Sequence, residues 1–212
     1  ELEKHGVLKH LDTPTLDAIA EKSLCFTNCI STSTYTTAAH ASVFTGLYPS
    51  RHGVRAFFYT RLHPDVTTLA EVFRRNGYRT ICATDVPELF EPLGLTRGFQ
   101  QLVVRNDQEV WRLLENCREE KVFLFVHFFD VHEPYLFSEC PPHGDYNNDY
   151  FSLMEDLSRI YDLPAKTLDP WALWQSFRQA VNHDISHLFR LYVSGVSKFD
   201  RGRFSTFIGT LR

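Results

Sequence analysis

Residues 122–129 form a short apolar run that constrains the fold more than any other stretch of the sequence. The run reads Val-Phe-Leu-Phe-Val-His-Phe-Phe and is rich in β-prone side chains. It is far shorter than the roughly 20 apolar residues that cross a membrane, and no longer apolar run occurs elsewhere. A nearly continuous apolar run of this length is typical of a parallel-sheet strand that is covered on both faces. We therefore predict a buried strand here and no membrane span.

Helical and strand patterns alternate along the rest of the chain. The spacing of apolar residues predicts helices at residues 14–20, 37–45, 68–76 and 107–117, and strands at residues 23–29, 78–83 and 101–104. Strands that alternate with helices indicate an α/β fold with a mostly parallel central sheet, helices on its faces and right-handed crossovers. A chain of 212 residues can bury a sizeable core, which suggests one domain.

Charge and cysteine content limit the classes of partner and compartment. The net charge is −4, so no overall attraction to nucleic acid or to an anionic membrane is expected. The five cysteines are an odd number without a compact framework, which favours reduced thiols and a cytoplasmic setting. The sequence shows neither an initiator Met nor a signal peptide, so we expect it to begin within a longer protein. It does not indicate an oligomeric state.

Adjacent hydroxyl side chains, Thr36 and Thr37, come just before an Ala-rich helical stretch that stops at Gly46. A hydroxyl there lies at a helix N-terminus, where free backbone N–H groups and the positive end of the helix dipole favour phosphate or sulfate. It could act as a nucleophile if its pKa were lowered, and a metal ion commonly does this. The simpler interpretation is that one of these threonines only caps the helix, as threonine often does.

Two flanking segments, residues 14–28 and 36–54, resemble the sulfatase branch of the alkaline phosphatase superfamily. The first, which starts Pro-Thr-Leu-Asp, matches the helix and strand that precede the nucleophile helix in that family. The second ends Thr-Gly-Leu-Tyr-Pro-Ser-Arg-His-Gly-Val, which matches the family pattern TGxYPxxHGV in order and spacing. The resemblance implies an alkaline phosphatase-like α/β fold that is incomplete in this chain.

The resemblance also implies site residues. It places the family nucleophile at Thr36, which would also contact the metal, and it places Thr37 and His40 beside the substrate anion. Sulfatases have Cys or Ser at the nucleophile position, with Pro and Arg two and four residues later, and oxidise it to formylglycine. Thr36 cannot become that aldehyde, and Ala38 and His40 replace the Pro and Arg. Relatives with Thr at this position are phosphodiesterases and phospho-group transferases.

A second candidate segment, Asp130-Val131-His132, directly follows the predicted strand at 122–129. Ligands of open α/β sheets bind at the carboxyl ends of strands, and a histidine there can hold a substrate oxygen or protonate a leaving oxygen. On the motif alone, a loop histidine with a structural partner is the favoured interpretation of His132. The family has a substrate-contacting His at this point, which favours the catalytic role. Asp130 either orients His132 and contacts substrate or caps the following turn.

The resemblance implies a divalent metal whose main ligands lie outside this sequence. The family takes carboxylates from an Asp-Asp segment before the first helix and from an Asp-His segment after the long helix that residues 188–212 resemble. Neither segment is present in this chain. Calcium, magnesium or manganese suits carboxylate-rich ligation, and zinc is an alternative. We expect the full-length protein to hold the metal and the fragment alone to be inactive.

These observations predict a metal-dependent hydrolase or transferase that acts on phosphate esters, or less favourably on sulfate esters, through Thr36. The expected substrate is a small-molecule, lipid or carbohydrate ester. Residues 137–190 could be an inserted cap that selects the substrate, or a set of short helices packed on the sheet. The alternative function is a catalytically inactive relative that serves as a binding or interaction module.

Overall fold

The computed structural model describes residues 11–55, 60–132 and 185–211, with the side chains of the last range described from Tyr192 onward. The described residues divide into two compact units. One contains residues 11–24, 130–132 and 185–211, and the other contains the described residues between 25 and 129. The predicted cap at 137–190 lies largely outside the described residues. Within the part that is described, no helix is long and apolar enough to cross a membrane.

The elements alternate as the sequence predicts. In chain order they are α1 (Pro14–Ala20), α2 (Thr36–Thr45), α3 (Pro49–His52), α4 (Leu69–Arg75), β1 (Arg79–Thr84), β2 (Gln101–Val104), α5 (Asp107–Asn116), β3 (Val122–His127), α6 (Ile185–Phe199) and α7 (Ser205–Thr210). A π-helical turn, Asp200–Phe204, joins α6 to α7. The three strands form a parallel sheet in the order β2-β1-β3. The α/β class with a parallel sheet is confirmed.

The helices around the sheet begin and end at recognisable signals. Thr68 and Glu71 form a capping box at the start of α4, in which each side chain accepts the other residue's backbone N–H. Asn106 caps α5 by accepting the Glu109 N–H at 3.0 Å. Gly46 adopts a left-handed conformation with φ of 67° at the end of α2. Such a glycine is the common C-terminal stop of a helix, so these local signals set most of the boundaries.

An aromatic core joins α2 to the sheet. Phe44 of α2 is 2 % exposed and meets Phe125 of β3 edge to face, with ring centroids 4.8 Å apart. Phe90, from the loop between the first two strands, lies 5.8 Å from Phe125 and 6.5 Å from Phe44. Small residues let α2 approach closely, because Ala38 and Ala41 are fully buried. The core therefore fixes α2 against the sheet.

The other unit is organised around Asp200, which is completely buried. Its two carboxylate oxygens accept the backbone N–H groups of Thr15 at 2.8 Å and Leu16 at 2.9 Å. These are N–H groups of the first turn of α1, which have no partner inside the helix. Thr13 stands at the N-cap position but makes no side-chain cap. The distant carboxylate of Asp200 therefore replaces the local cap that Thr13 would otherwise provide.

The predicted strand at residues 23–29 is wrong, since these residues form no strand. Large apolar side chains within and just after this stretch are almost fully exposed: Leu24 at 88 %, Phe26 at 81 % and Ile30 at 90 %. A strand needs a hydrogen-bonded neighbour, and the described sheet contains only β1, β2 and β3. Local pattern alone could not supply that neighbour.

The strand predicted within residues 122–129 does form, but a different strand, β1, is the most buried one. Each residue of β3 is only half-buried, whereas all but the first residue of β1 are buried. The difference follows from position, because β1 has a neighbour on each side and β3 pairs with β1 alone in the described sheet. Hydrophobicity identified β3 as a strand but did not identify the central strand.

Two left-handed glycines provide a test of this packing. An added Cβ at Gly98, with φ of 96°, would lie 2.3 Å from the backbone N of Glu71, whereas one at Gly77, with φ of 79°, would meet nothing within 4 Å. Gly77→Ala therefore carries backbone strain of about 1–2 kcal/mol only. Gly98→Ala adds overlap with α4 and is expected to lower the free energy of unfolding by about 3 kcal/mol or more. Urea denaturation of both variants measures this, and equal losses would contradict the predicted close approach.

Candidate functional site

Thr36 is the first residue of α2, and no side chain caps this helix. Tyr35 occupies the N-cap position in an extended conformation, and the first helical hydrogen bond runs from the Ala39 N–H to the Tyr35 carbonyl at 2.9 Å. Neither Thr36 nor Thr37 is therefore the cap, so the simpler interpretation of this threonine pair does not hold. Among the described residues, none accepts a hydrogen bond from the amides of Thr36, Thr37 or Ala38.

A helix N-terminus with free N–H groups is a site that favours an anion. Thr36 is half-buried, so its hydroxyl lies at the edge of this N-terminus. Thr37 is 1 % exposed, and its Oγ1 atom is buried with no hydrogen-bond partner in the described part of the chain. A buried hydroxyl without a partner is unfavourable by about 1–3 kcal/mol. A bound ligand oxygen would give Thr37 the partner that the protein does not.

His40 lies one helical turn after Thr36 and is tied to it. The Nδ1 atom of His40 lies 2.7 Å from the Thr36 carbonyl oxygen. A carbonyl can only accept, so Nδ1 carries the proton. Burial lowers the pKa of His40 below its ordinary value of 6.5, and the hydrogen bond to Thr36 only partly opposes this effect. His40 is therefore neutral near pH 7 and does not replace the charge of the family's arginine.

His52, from the His-Gly turn after α2, is completely buried and has a structural set of contacts. Its Nδ1 accepts the Val54 N–H at 3.1 Å, and its Nε2 lies 3.0 Å from the Ser42 hydroxyl oxygen. Ser42 also accepts the Thr32 hydroxyl at 2.8 Å. Burial lowers the pKa of His52, against a raising effect of the Ala38 carbonyl. These bonds hold the loop before α2 and the turn after it on the same helix.

Asp130 and His132 belong to the unit that contains α1 and α6, whereas α2 belongs to the other unit. Asp130 forms an ion pair with Arg203 of the π-helical turn, with Nη1 and Oδ2 2.7 Å apart. The two side chains are 20 % and 16 % exposed. One partner of Asp130 is therefore an arginine that sequence patterns did not assign to the site. His132 is exposed.

His127 is a second residue that sequence reasoning missed. It is the last residue of β3, and its ring centroid lies 5.1 Å from that of His40. The signal was present, because His127 is the only polar residue in the apolar run at 122–129. A single histidine within an apolar run does not change the strand prediction, so the run alone does not mark His127 as a site residue.

The described residues contain no group of three or more His, Cys, Asp or Glu side chains that could hold a metal ion. Thr36 alone does not make a metal site, so the described part of the chain does not fit a divalent metal without further ligands. The expectation that Thr36 contacts a metal held by other residues stays a prediction. The N-terminus of α2, by contrast, carries hydroxyl and amide donors, which suit an anion.

The sequence matches the family model of sulfatases over residues 6–162. The chain belongs to the sulfatase family. Members of this family are hydrolases and generally use a divalent metal. The match covers both candidate segments, α2 and residues 130–132, and confirms the resemblance on which the site residues were predicted.

Individual relatives agree with this assignment. An ulvan-active sulfatase from Formosa agariphila is 36 % identical over 73 residues, which is 34 % of this chain and 14 % of that protein. A solved structure from Bacteroides thetaiotaomicron, described for the metabolism of multiple glycosaminoglycans, covers 95 % of this chain with a TM-score of 0.56 and 17 % identity. A second from the same bacterium covers 94 % with a TM-score of 0.52 and 17 % identity. This likeness shows the shared fold alone.

The chain spans about half the length of these solved relatives, at 50 % and 49 %, and a smaller share of the curated one. The family and the fold of the chain are therefore established. The activity and the substrate of the full-length protein are proposals.

Two histidines, the half-buried His40 and the buried His52, should make the stability of the chain depend on pH. Burial holds the pKa of His40 below 6.5 in the folded chain, so the unfolded chain binds the proton more tightly. The free energy of unfolding should therefore fall as the pH drops below 6.5, by at most about 1.4 kcal/mol per pH unit for each such histidine. His52 acts in the same direction. Denaturation between pH 7.5 and about pH 5 tests this, and His40→Phe should reduce the slope.

Leu95→Ala provides the control for that experiment, because Leu95 belongs to the buried core that also contains Phe44 and Phe90 and carries no titratable group. It should lower the free energy of unfolding and leave the slope unchanged. If His40→Phe kept the slope of the parent chain, the effect of burial on His40 would be contradicted.

Proposed function

We propose that the full-length protein is a hydrolase or transferase of phosphate esters, and less favourably of sulfate esters, with Thr36 as its nucleophile. The observation that carries this proposal is the N-terminus of α2, where Thr36 is the first residue and the first backbone amides have no acceptor among the described residues. A hydroxyl beside an anion-binding helix end suits attack on a tetrahedral oxyanion ester.

The side chain of Thr36 favours phosphate over sulfate. A threonine cannot be oxidised to the formylglycine that sulfatases use, and its Cβ carries a methyl group. A sulfated threonine would lack the second hydroxyl through which formylglycine eliminates sulfate. A phosphorylated threonine needs no such group, because water can attack phosphorus directly. The names of the relatives support sulfate esters of carbohydrates, so sulfate remains the second substrate class.

In the proposed reaction, Thr36 Oγ attacks phosphorus, the bond to the ester oxygen breaks, and the alcohol leaves with a proton. Water or an acceptor alcohol then takes the phosphoryl group from Thr36. The amides at the start of α2 and the helix dipole stabilise the charge on the group in transfer. The buried hydroxyl of Thr37 donates to one of its oxygens. His132 is proposed to protonate the leaving oxygen, with Asp130 beside the substrate or as the group that orients His132.

A divalent metal is the cofactor that the family generally uses, and it would activate the nucleophile when bound. Calcium, magnesium or manganese is expected, with zinc as the alternative. The described residues contain no cluster that could supply its ligands. The proposed substrate is a small-molecule, lipid or carbohydrate ester.

The second candidate function is an inactive relative that binds an anionic group without turnover. It is favoured by the absence, among the described residues, of any cluster that could hold a metal. The anion-binding start of α2 would serve either function. Turnover by the full-length protein distinguishes them.

Substitution of the two threonines separates a nucleophile from a binding group. In the full-length protein, Thr36→Ala should lower kcat/KM for an aryl phosphodiester by about a thousandfold or more, because the attacking oxygen is lost. Thr37→Ala loses one hydrogen bond to substrate and should retain activity within about tenfold. Steady-state kinetics with purified variants measures both effects.

Thr36→Ser is the matched control, because it keeps a hydroxyl at the same place. It should retain most of the activity that Thr36→Ala loses. If Thr37→Ala were the more damaging change, the nucleophile would be Thr37. If neither alanine variant lost activity, the covalent mechanism would be wrong.

Paired substrates test the preference for phosphate. The full-length protein should cleave a nitrophenyl phosphate ester or phosphodiester at least about a hundredfold faster than the matching sulfate, a gap of about 2.7 kcal/mol in the barrier. The measured quantity is kcat/KM for each ester with divalent metal present. Equal or faster sulfate cleavage would show that sulfate is the true substrate and that Thr36 is not the attacking group.

A further inference from the structure

His127 interrupts a stripe of phenylalanines on one face of β3. Side chains alternate along a strand, so residues 123, 125 and 127 share this face. Phe123 stacks on Phe73 with centroids 4.4 Å apart, and Phe125 packs on Phe44 at 4.8 Å. A phenylalanine at 127 would extend the stripe without burying polar nitrogens. The histidine therefore calls for an explanation other than packing.

The ring of His127 is oriented from the neighbouring strand. Thr84 ends β1 directly opposite His127 in the parallel register. The Thr84 hydroxyl oxygen lies 3.4 Å from His127 Nδ1 and accepts the Val86 N–H at 3.1 Å. A hydroxyl has one proton and two lone pairs, so Thr84 can either donate to Nδ1 or accept from it. In both cases the contact ties the His127 ring to the end of β1.

The ring of His127 also contacts His40 of α2. Its ring meets that of His127 edge to face, with an interplanar angle of 81°. Aromatic pairs favour this geometry. Phe44, Phe90 and Phe125 also surround His40 in the described part of the chain, and all three are hydrocarbon rings. Among these four rings, His127 is thus the one that carries polar atoms.

We propose that His127 is a positioning residue for Thr36 and acts through His40. His127 holds the His40 ring in the orientation that directs Nδ1–H to the Thr36 carbonyl, and this bond fixes the peptide plane of the first residue of α2. The direction of the Cα–Cβ bond of Thr36 depends on that plane. The proposal rests on the proposed function, because the role of Thr36 as nucleophile is itself proposed.

Imidazole NMR of the chain tests the positioning without any activity measurement. In ¹⁵N–¹H spectra at neutral pH, His40 should be protonated on Nδ1. In His127→Phe, the His40 Nδ1–H signal should exchange rapidly with water or divide between tautomers. His127→Gln keeps an N–H donor and should preserve the signal. Phe123→Leu, on the same stripe but away from His40, is the control and should leave the signal unchanged.

An unchanged His40 signal in His127→Phe would overturn the proposal. So would a parent spectrum with His40 protonated on Nε2, which needs no variant and remains decisive if His127→Phe fails to fold.

Kinetics of the full-length protein provides the second test. His127→Phe should lower kcat by about tenfold to a hundredfold with KM nearly unchanged, because a misdirected nucleophile affects the reaction and not ground-state binding. His127→Gln should restore most of kcat. Full activity of His127→Phe, in a protein that Thr36→Ala inactivates, would overturn the positioning role and leave the proposed function standing. Full activity of Thr36→Ala would overturn the proposed function, while the NMR result would still decide whether His127 orients His40.

Discussion

The packing of α2 on the aromatic face of β3 is the interaction on which the candidate site depends. Phe44, near the C-terminal end of α2, lies against Phe125, and His40, one turn earlier, lies against His127. The hydrophobic contact is non-directional and sets the distance between helix and sheet. The histidine contact is edge to face, a geometry that aromatic rings favour, and it joins the middle of α2 to the end of β3. Burial of Ala38 and Ala41 allows both contacts to form at the same time.

This arrangement explains why α2 has no cap. A capping side chain would occupy the amides that an anion would use, and it would stabilise the helix by only about 1 kcal/mol. In the sulfatase fold seen here, aromatic burial at the other end of the helix holds α2 in place instead. The first turn of α1, in the other unit, is different. There the buried carboxylate of Asp200, from far along the chain, accepts the N–H groups. The first amides of α1 thus have acceptors within the protein, whereas those of α2 have no acceptor among the described residues.

The elements that the sequence predicted well are those with a local cause. The Thr68 and Glu71 capping box, the Asn106 cap and the left-handed Gly46 each involve residues within one turn, so their helix boundaries could be read directly. The strand expected at residues 23–29 required a neighbouring strand that no local pattern reveals. The candidate positions Thr36, Thr37 and His40 came from the family resemblance, whereas the Arg203 partner of Asp130 depends on a contact across 73 residues of sequence. His127 was visible in the sequence, but its meaning depends on which helix packs against it.

The replacement of the family's arginine by His40 changes how an anion would be held. An arginine would contribute a permanent charge and two parallel hydrogen bonds. His40 is half-buried among aromatic rings, its pKa is lowered, and its Nδ1 proton is donated to the Thr36 carbonyl. It therefore contributes geometry and not charge. Charge stabilisation must then come from the helix amides, the Thr37 hydroxyl and groups outside the described residues. Dipoles of this kind act best where water is excluded, because a lower local dielectric strengthens them. The buried Thr37 hydroxyl meets that condition, since its donor is already removed from water before any anion binds.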